Sequence, residues 1–321
     1  MSSREQQVLC NAPFVTAIGG ANIDIHGKSY QSLRHNDSNP GSVHMSAGGV
    51  ARNVAENLAR LGIDCRLIST IGNDHHGQML MRLCRDAGIN MQYVHLIASA
   101  ATSTYLSVLD DSGDMLVGIN DMSVIDQLSA ELLQAQHAML NQSSLAIVDC
   151  NLSADALAWL SDSLADVPIF ADTVSTIKAP RIKPYLHAIH TLKTSAIEVE
   201  ALTGLDARTQ LQLQKIADQL HGEGVERLFV TRGEQGVFYS SNNAHGVKKL
   251  NRKQRQIHNA GGAGDAFLAG LAYAWLENWP LEESTQFALA AADITLSHRA
   301  TSSPALSVAA VNQLLETQGA G

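Results

Sequence analysis

Toward its C-terminus the chain reads Asn259-Ala260-Gly261-Gly262-Ala263-Gly264-Asp265 and then enters an apolar run over 266–276. A glycine-rich turn leading into a helix aims several backbone N–H groups, and the positive end of the helix, at one point, which suits an anion. Asp265 sits beside that point. A carboxylate there can take a proton from an attacking hydroxyl while the N–H groups of Gly262, Ala263 and Gly264 neutralise charge growing on a phosphoryl group. The same spacing also describes an ordinary glycine loop with an aspartate as N-cap. No Gly-Lys-Ser/Thr follows, so this is not a Walker A loop.

Three further clusters carry chemistry-bearing residues. Thr231-Arg232-Gly233-Glu234-Gln235-Gly236 follows an apolar run. Its glycines admit close backbone approach and its Thr and Arg can donate to phosphates, although taken alone it reads better as a tight turn between strands. Gly19-Gly20-Ala21-Asn22-Ile23-Asp24 ends another apolar run. It does not continue as GxGxxG into a helix, which excludes a dinucleotide fold's NAD site, but Asn22 and Asp24 alternate along an extended chain and both can reach a polyol. Gly48-Gly49-Val50-Ala51-Arg52-Asn53 opens a helix and puts Asn53 one turn inside it, whereas Gly72-Asn73-Asp74-His75-His76-Gly77 reads as a loop with an N-cap.

These clusters need a scaffold, and the apolar periodicity supplies one. Short strand-like runs at 14–19, 66–71, 145–149, 169–172, 191–193 and 228–231 alternate with helical patterns at 49–61, 153–164, 209–221, 263–276 and 281–297. In the first of the helices Val50, Val54, Leu58 and Leu61 form one stripe. Such alternation predicts a mostly parallel sheet with helices on both faces, a three-layer α/β/α sandwich. Two stretches interrupt it. Residues 103–109, 110–114 and 115–119 read as a β-hairpin with a polar turn, and 25–45 is a polar, strand-poor stretch leading to a Gly-Gly. Together they predict a small β lid, useful where a reaction must exclude water; a surface hairpin is the plainer reading. The expected division is a core of 1–25, 48–99 and 122–321, with a lid inserted as 26–47 and 100–121.

Composition bounds the function. The chain has 321 residues, 45% hydrophobic and 17% charged, enough for a large packed core. A net charge of −9 argues against coating nucleic acid, though not against a small anion held by local donors. No apolar run is long enough to span a bilayer, and residues 1–11 lack the apolar stretch of a signal peptide. Cys10, Cys65, Cys84 and Cys150 are scattered, which fits reduced thiols and a cytoplasmic location and carries no zinc signature. Neighbouring His75 and His76 cannot share a helical face, so a metal role is not expected of them.

The order of the motifs says more than any one of them. Asn-x-Asp, Gly-Gly-x-x-x-Asn, Gly-x-Asp-x-x-Gly, Thr-x-Gly-x-x-Gly and Gly-Ala-Gly-Asp, in that sequence from about Phe14 to the last helix, resemble the PfkB or ribokinase family of carbohydrate and nucleoside kinases. Gly20–Asp24, Asp37–Gly41, 48–53, 103–107, Ile119-Asn120-Asp121-Met122, 131–133 and Asp149-Cys150-Asn151 are most similar to the branch acting on pseudouridine. The resemblance implies a ribokinase-like fold and transfer of a phosphoryl group from ATP, with Mg²⁺, to the 5′-hydroxyl of that nucleoside. A kinase of ribose or another nucleoside, and a sugar- or nucleoside-binding protein without catalysis, are the alternatives.

Carried over by residue, the family implies that Asp265 is the general base and that Gly262, Ala263 and Gly264 form the anion hole. Thr231, Gly233 and Gly236 would line the ATP phosphates and ribose, with Lys193 spreading phosphate charge. Asn22, Asp24, Gly48, Gly49 and Asn53 would hold the sugar, and Thr104, Asn120 and Asp121 would touch the base or cap the site. Glu198 would organise Mg²⁺ through water. A homodimer through the lid is also implied. Three motifs depart from the family: Asn259-Ala260 stands for Asp-Thr, which puts activation by potassium (K⁺) in doubt; Ser195 replaces the Asn of Asn-x-x-Glu; and Asp172-Thr173 replaces Asp-Pro.

Overall fold

The structure, a computed structural model, describes residues 13–250, 261–298 and 300–319. The polar start with Cys10, and the departures Asn259 and Ala260, lie outside the described residues.

The first strand, β1 (Phe14–Ile18), is buried throughout, as a strand with parallel neighbours on both sides should be. The chain then leaves the main sheet as the antiparallel pair β2 (Asn22–Ser29) and β3 (Gly41–Gly48). Helix α1 (Val50–Arg60) returns to β4 (Asp64–Gly72), and α2 (His75–Asp86), N-capped by the Asp74 side chain on the Gly77 N–H, leads to β5 (Val94–Ile97). The hairpin β6 (Thr104–Leu109) and β7 (Met115–Asp121) follows. Short helices α3 (Ala130–Ala135) and α4 (His137–Leu140) precede β8 (Leu145–Asp149), α5 (Ala154–Ser163), β9 (Ile169–Asp172), β10 (Ile189–Ser195), α6 (Ala196–Thr203), α7 (Gln210–Gly222) and β11 (Arg227–Thr231). Antiparallel β12 (Val237–Ser241) and β13 (Ala244–Lys248), then α8 (Ala263–Leu276), α9 (Leu281–Leu296) and α10 (Val308–Gly319), complete the described chain.

Nine described strands form one sheet in the order β13-β12-β11-β10-β9-β8-β1-β4-β5. Period-two alternation builds a core on each side: Ala146 and Val148 of β8 pack with Leu157, Leu160 and Leu213 on one face, while Leu145 and Ile147 pack with Val54, Leu58 and Phe267 on the other. Helices on both faces make the three-layer sandwich that the alternating pattern predicts.

A second, four-stranded sheet has the order β3-β2-β6-β7. It corrects one expectation: 25–45 is not strand-poor, because β2 reaches Ser29 and β3 starts at Gly41. Ile23 and Ile25, and Val43 and Met45, alternate with polar residues, so this sheet has an apolar face and a polar one, and the polar half hides the strands in a composition-based reading. Strands β5, β12 and β13 likewise lie where no strand is expected. Among the described residues no helix is long and apolar enough to cross a membrane.

Candidate active site

The parallel strands end together: Ile18 pairs with Ile68, Asp149 with Asp172, Lys193 with Asp172 and Ser195 with Thr231. In open α/β sheets, ligands bind outside such carboxyl ends. Here the residues at those ends meet the start of α8.

Asp265 is the third residue of α8, and its N-cap is Gly262, so Asp265 is not a capping aspartate. Gly262 has φ +80, and a Cβ there would lie 1.8 Å from the Thr301 carbonyl oxygen, so only glycine allows this entry into the helix. The Asp265 side chain is buried and accepts a hydrogen bond from Asn53 Nδ2 at 2.8 Å. Burial raises its carboxyl to about 7, reinforced by the charges of Asp172 and Asp149 and opposed by Lys193 and the Asn53 hydrogen bond. A carboxyl that ionises near neutral pH beside helix N–H groups is equipped to take a proton from a hydroxyl.

Lys193, on β10, is buried and holds Asp172 Oδ2 at 2.8 Å. Burial alone would lower its ammonium, but Asp172, Asp265 and Glu198 more than offset that and raise it, so it stays charged. A Cβ on Gly264 would come within 2.5 Å of Lys193 Nζ, which places this cation against the glycine turn. Glu198 accepts the Ser195 N–H at 2.9 Å and the Thr173 hydroxyl at 2.7 Å. Ser195-x-x-Glu198 thus holds the start of α6 as a capping box does, and Thr173 supplies a donor that proline at this position would lack. Thr231 Oγ1 donates to the Thr194 carbonyl at 3.2 Å. Gly233 and Gly236 flank the turn between β11 and β12; a Cβ on Gly236 would strike the Lys248 carbonyl at 2.1 Å, so strand packing alone requires this glycine.

On the other side, Asn22 Nδ2 donates to Asp24 Oδ1 at 2.6 Å, and both side chains are buried. Burial raises the Asp24 carboxyl against the Asn22 hydrogen bond and the charges of His26 and Arg52. A Cβ on Gly48 would meet that carboxylate at 2.3 Å, and Gly49, φ +98, lets α1 start against the Gly20 carbonyl. Asn120 shares the strand register of Asp24 through Tyr105 and so its face of the small sheet. Thr104 and Asp121 pair in the row of Ile23, on the opposite face. Thr104 donates to the Thr102 carbonyl and exposed Asp121 accepts from Ser123, so these two make local turn contacts in this arrangement.

Two buried residues matter more than their sequence context suggests. Asp149 accepts backbone N–H bonds from Gly20, Ala51 and Asn151 at 2.8–2.9 Å, tying β1, α1 and β8 together at the cleft. Asp172 divides its oxygens between Lys193 and the Val174 N–H. In sequence they stand only inside Asp149-Cys150-Asn151 and Asp172-Thr173, at strand ends, with nothing that points to these contacts.

The architecture defines the class first. The structure of an Arabidopsis thaliana ribokinase complexed with ribose and ATP superposes with a TM-score of 0.85, covering 95% of this chain and 99% of that one at 20% identity. A carbohydrate kinase from Agrobacterium tumefaciens gives 0.83 over 95% of this chain and 97% of that one at 28% identity. The fold is ribokinase-like. Residues 12–308 match the pfkB family of carbohydrate kinases, and the chain belongs to that family of phosphotransferases. It is 39% identical to the pseudouridine kinase of Escherichia coli K12 over 303 residues, 94% of this chain and 96% of that protein. It is 27% identical to a guanosine-inosine kinase of Exiguobacterium acetylicum over 259 residues, 80% of this chain and 86% of that one.

Proposed function

We propose that the chain transfers the γ-phosphoryl group of ATP to the 5′-hydroxyl of pseudouridine. For the chemistry, the carrying observation is Asp265: buried at the start of α8, between Lys193 and Asn53, with a carboxyl that ionises near 7. For the substrate, it is the 39% identity to a pseudouridine kinase over 94% of the chain.

In this reading Asn22, Asp24 and Asn53 hold the sugar hydroxyls and aim the primary one at Asp265, which accepts its proton as the oxygen attacks phosphorus. Lys193 and the N–H groups of Gly262, Ala263 and Gly264 face the transferring group, with Thr231 and Gly233 along the nucleotide. The residues present fit a nucleotide with Mg²⁺: a buried ammonium stands where a Cβ on Gly264 would intrude, and Glu198 is held as an acceptor by two donors. When bound, Mg²⁺ supplies positive charge to the phosphates. The polar face of β2, β3, β6 and β7, carrying Asp24, Tyr105 and Asn120, would cover the site and exclude water. On the opposite face, Val43, Val117 and Ile119 are exposed apolar residues, a surface suited to pairing of two copies.

A substrate panel tests the reading. ADP release with pseudouridine should exceed that with uridine, inosine and ribose. Equal turnover on all would remove the substrate assignment, and turnover no greater than that of Asp265→Asn on every acceptor would leave a binding protein.

A further inference from the structure

Asn53 is held from behind by groups that the proposed chemistry does not use. Its Oδ1 accepts from Arg52 Nη1 at 2.6 Å, and Thr301 Oγ1 lies 3.2 Å from the same oxygen. Its Nδ2 donates to Asp265 Oδ2 at 2.8 Å. Arg52 is buried, caps the Ala47 carbonyl with the same nitrogen at 3.2 Å, and pairs through Nη2 with buried Glu56, which also pairs with Arg60. An arginine has donors and no acceptor; an ionised carboxylate has acceptors and no donor. Turning the Asn53 amide over would aim its NH₂ at the guanidinium and its oxygen at Asp265, losing both bonds. With Arg52 in place only one orientation satisfies both neighbours.

We propose that the buried Glu56–Arg52 pair is a positioning device for the reaction: Arg52 fixes the Asn53 amide so that its N–H always points at Asp265. Glu56 holds the guanidinium fork, Arg52 holds the amide oxygen, and the amide nitrogen holds the carboxylate that receives the proton. The charge of Arg52 also favours the Asp24 carboxylate, as the smallest of the influences on it. The other groups acting on Asp265 are Asp172 from β9, Lys193 from β10 and Asp149 from β8, and the variants below leave all three untouched.

The inference rests on the kinase reading for its purpose but not for its test. Replacing the pair together, Arg52→Met with Glu56→Met, avoids an orphaned buried charge; Arg52→Lys keeps a cation and loses the fork. The readout is the titration of the Asp265 carboxyl by ¹³C NMR, assigned with Asp265→Asn. In the double variant its midpoint should rise by about one pH unit, the worth of a hydrogen bond to a charged group. Arg52→Lys should lie between the two. The acid limb of kcat on the best acceptor should move the same way. A merely structural pair would lower the melting temperature and leave the titration alone. An unchanged midpoint in the folded double variant, or in Arg52→Lys should the double variant not fold, overturns the proposal. A wild-type chain that turns over no acceptor sinks the kinase reading instead and leaves the titration to decide this one.

Discussion

Replacing Asp265 with Asn should make the protein slower and more stable at once. The carboxyl lies at 3.8 in an unfolded chain and at about 7 in the fold, with burial as the main cause. Each pH unit by which folding displaces a carboxyl is worth about 1.4 kcal/mol, so holding Asp265 ionised in the fold costs up to roughly 4 kcal/mol. The sign follows from proton counts. Below about pH 4 both states keep the proton and nothing is lost. Between 4 and 7 the unfolded chain ionises and the folded one does not, so the penalty grows, and it is complete above 7. Asparagine cannot ionise, its oxygen can still accept from Asn53, and Lys193 keeps Asp172 as partner. Asp265→Asn should therefore melt with the wild type at pH 4 and well above it at pH 8, by roughly 2–4 °C per kcal/mol in a large domain. The rate should fall about 10²–10⁴-fold, the usual worth of a positioned general base. The assays are calorimetric melting across pH and coupled ADP release. A melting difference that does not change with pH, or a less stable variant at pH 8, refutes the burial argument. A retained rate refutes the role.

If Asp265 must be ionised to act, kcat/KM should fall about tenfold per pH unit below about 7 in a pH–rate series. Gly262→Ala puts a methyl against the Thr301 carbonyl at a left-handed φ and should lower the melting temperature by several degrees and remove most activity. Thr173→Val takes away a hydroxyl donor to Glu198 and should raise the Mg²⁺ concentration for half-maximal rate by roughly tenfold in a metal titration, as for a hydrogen bond to a charged group. If two copies pair through the small sheet, Ile119→Glu should halve the mass seen by light scattering, whereas an unchanged mass removes that surface from the interface.

The parallel strands and long helices were legible because their signal is local. β8 and β9 match their apolar runs at 145–149 and 169–172, and α8 matches 263–276. The small sheet was half legible: Ile23, Ile25, Val43 and Met45 carry the period of a strand, but the polar residues between them read as loop. The glycine motif points to Asp265, yet spacing alone does not separate an N-cap from a base. The separation comes from Gly262 taking the cap position and from Asn53, brought from 212 residues away. Arg52 was visible only as a neighbour of Asn53, because its importance depends on which way an amide faces.

The buried acids of the cleft show why residue type underdetermines role. Asp149, Asp172, Asp24 and Asp265 are all carboxylates at or near the ends of elements, and residue type alone treats them alike. Donors separate them. Asp149 is occupied by three backbone N–H groups and fastens strands to a helix. Asp172 is divided between an ammonium and a backbone N–H. Asp24 shares one side-chain amide with burial and faces the acceptor side. Asp265 has one amide donor, a cation partly shared with Asp172, and two acidic neighbours that resist its charge. A proton acceptor must be under-stabilised as an anion, or it gains nothing by taking a proton. Burial raises Asp24 and Asp149 as well; of these three, Asp265 is the one in the first turn of α8, so the same packing that costs the fold stability is what equips this carboxylate to act.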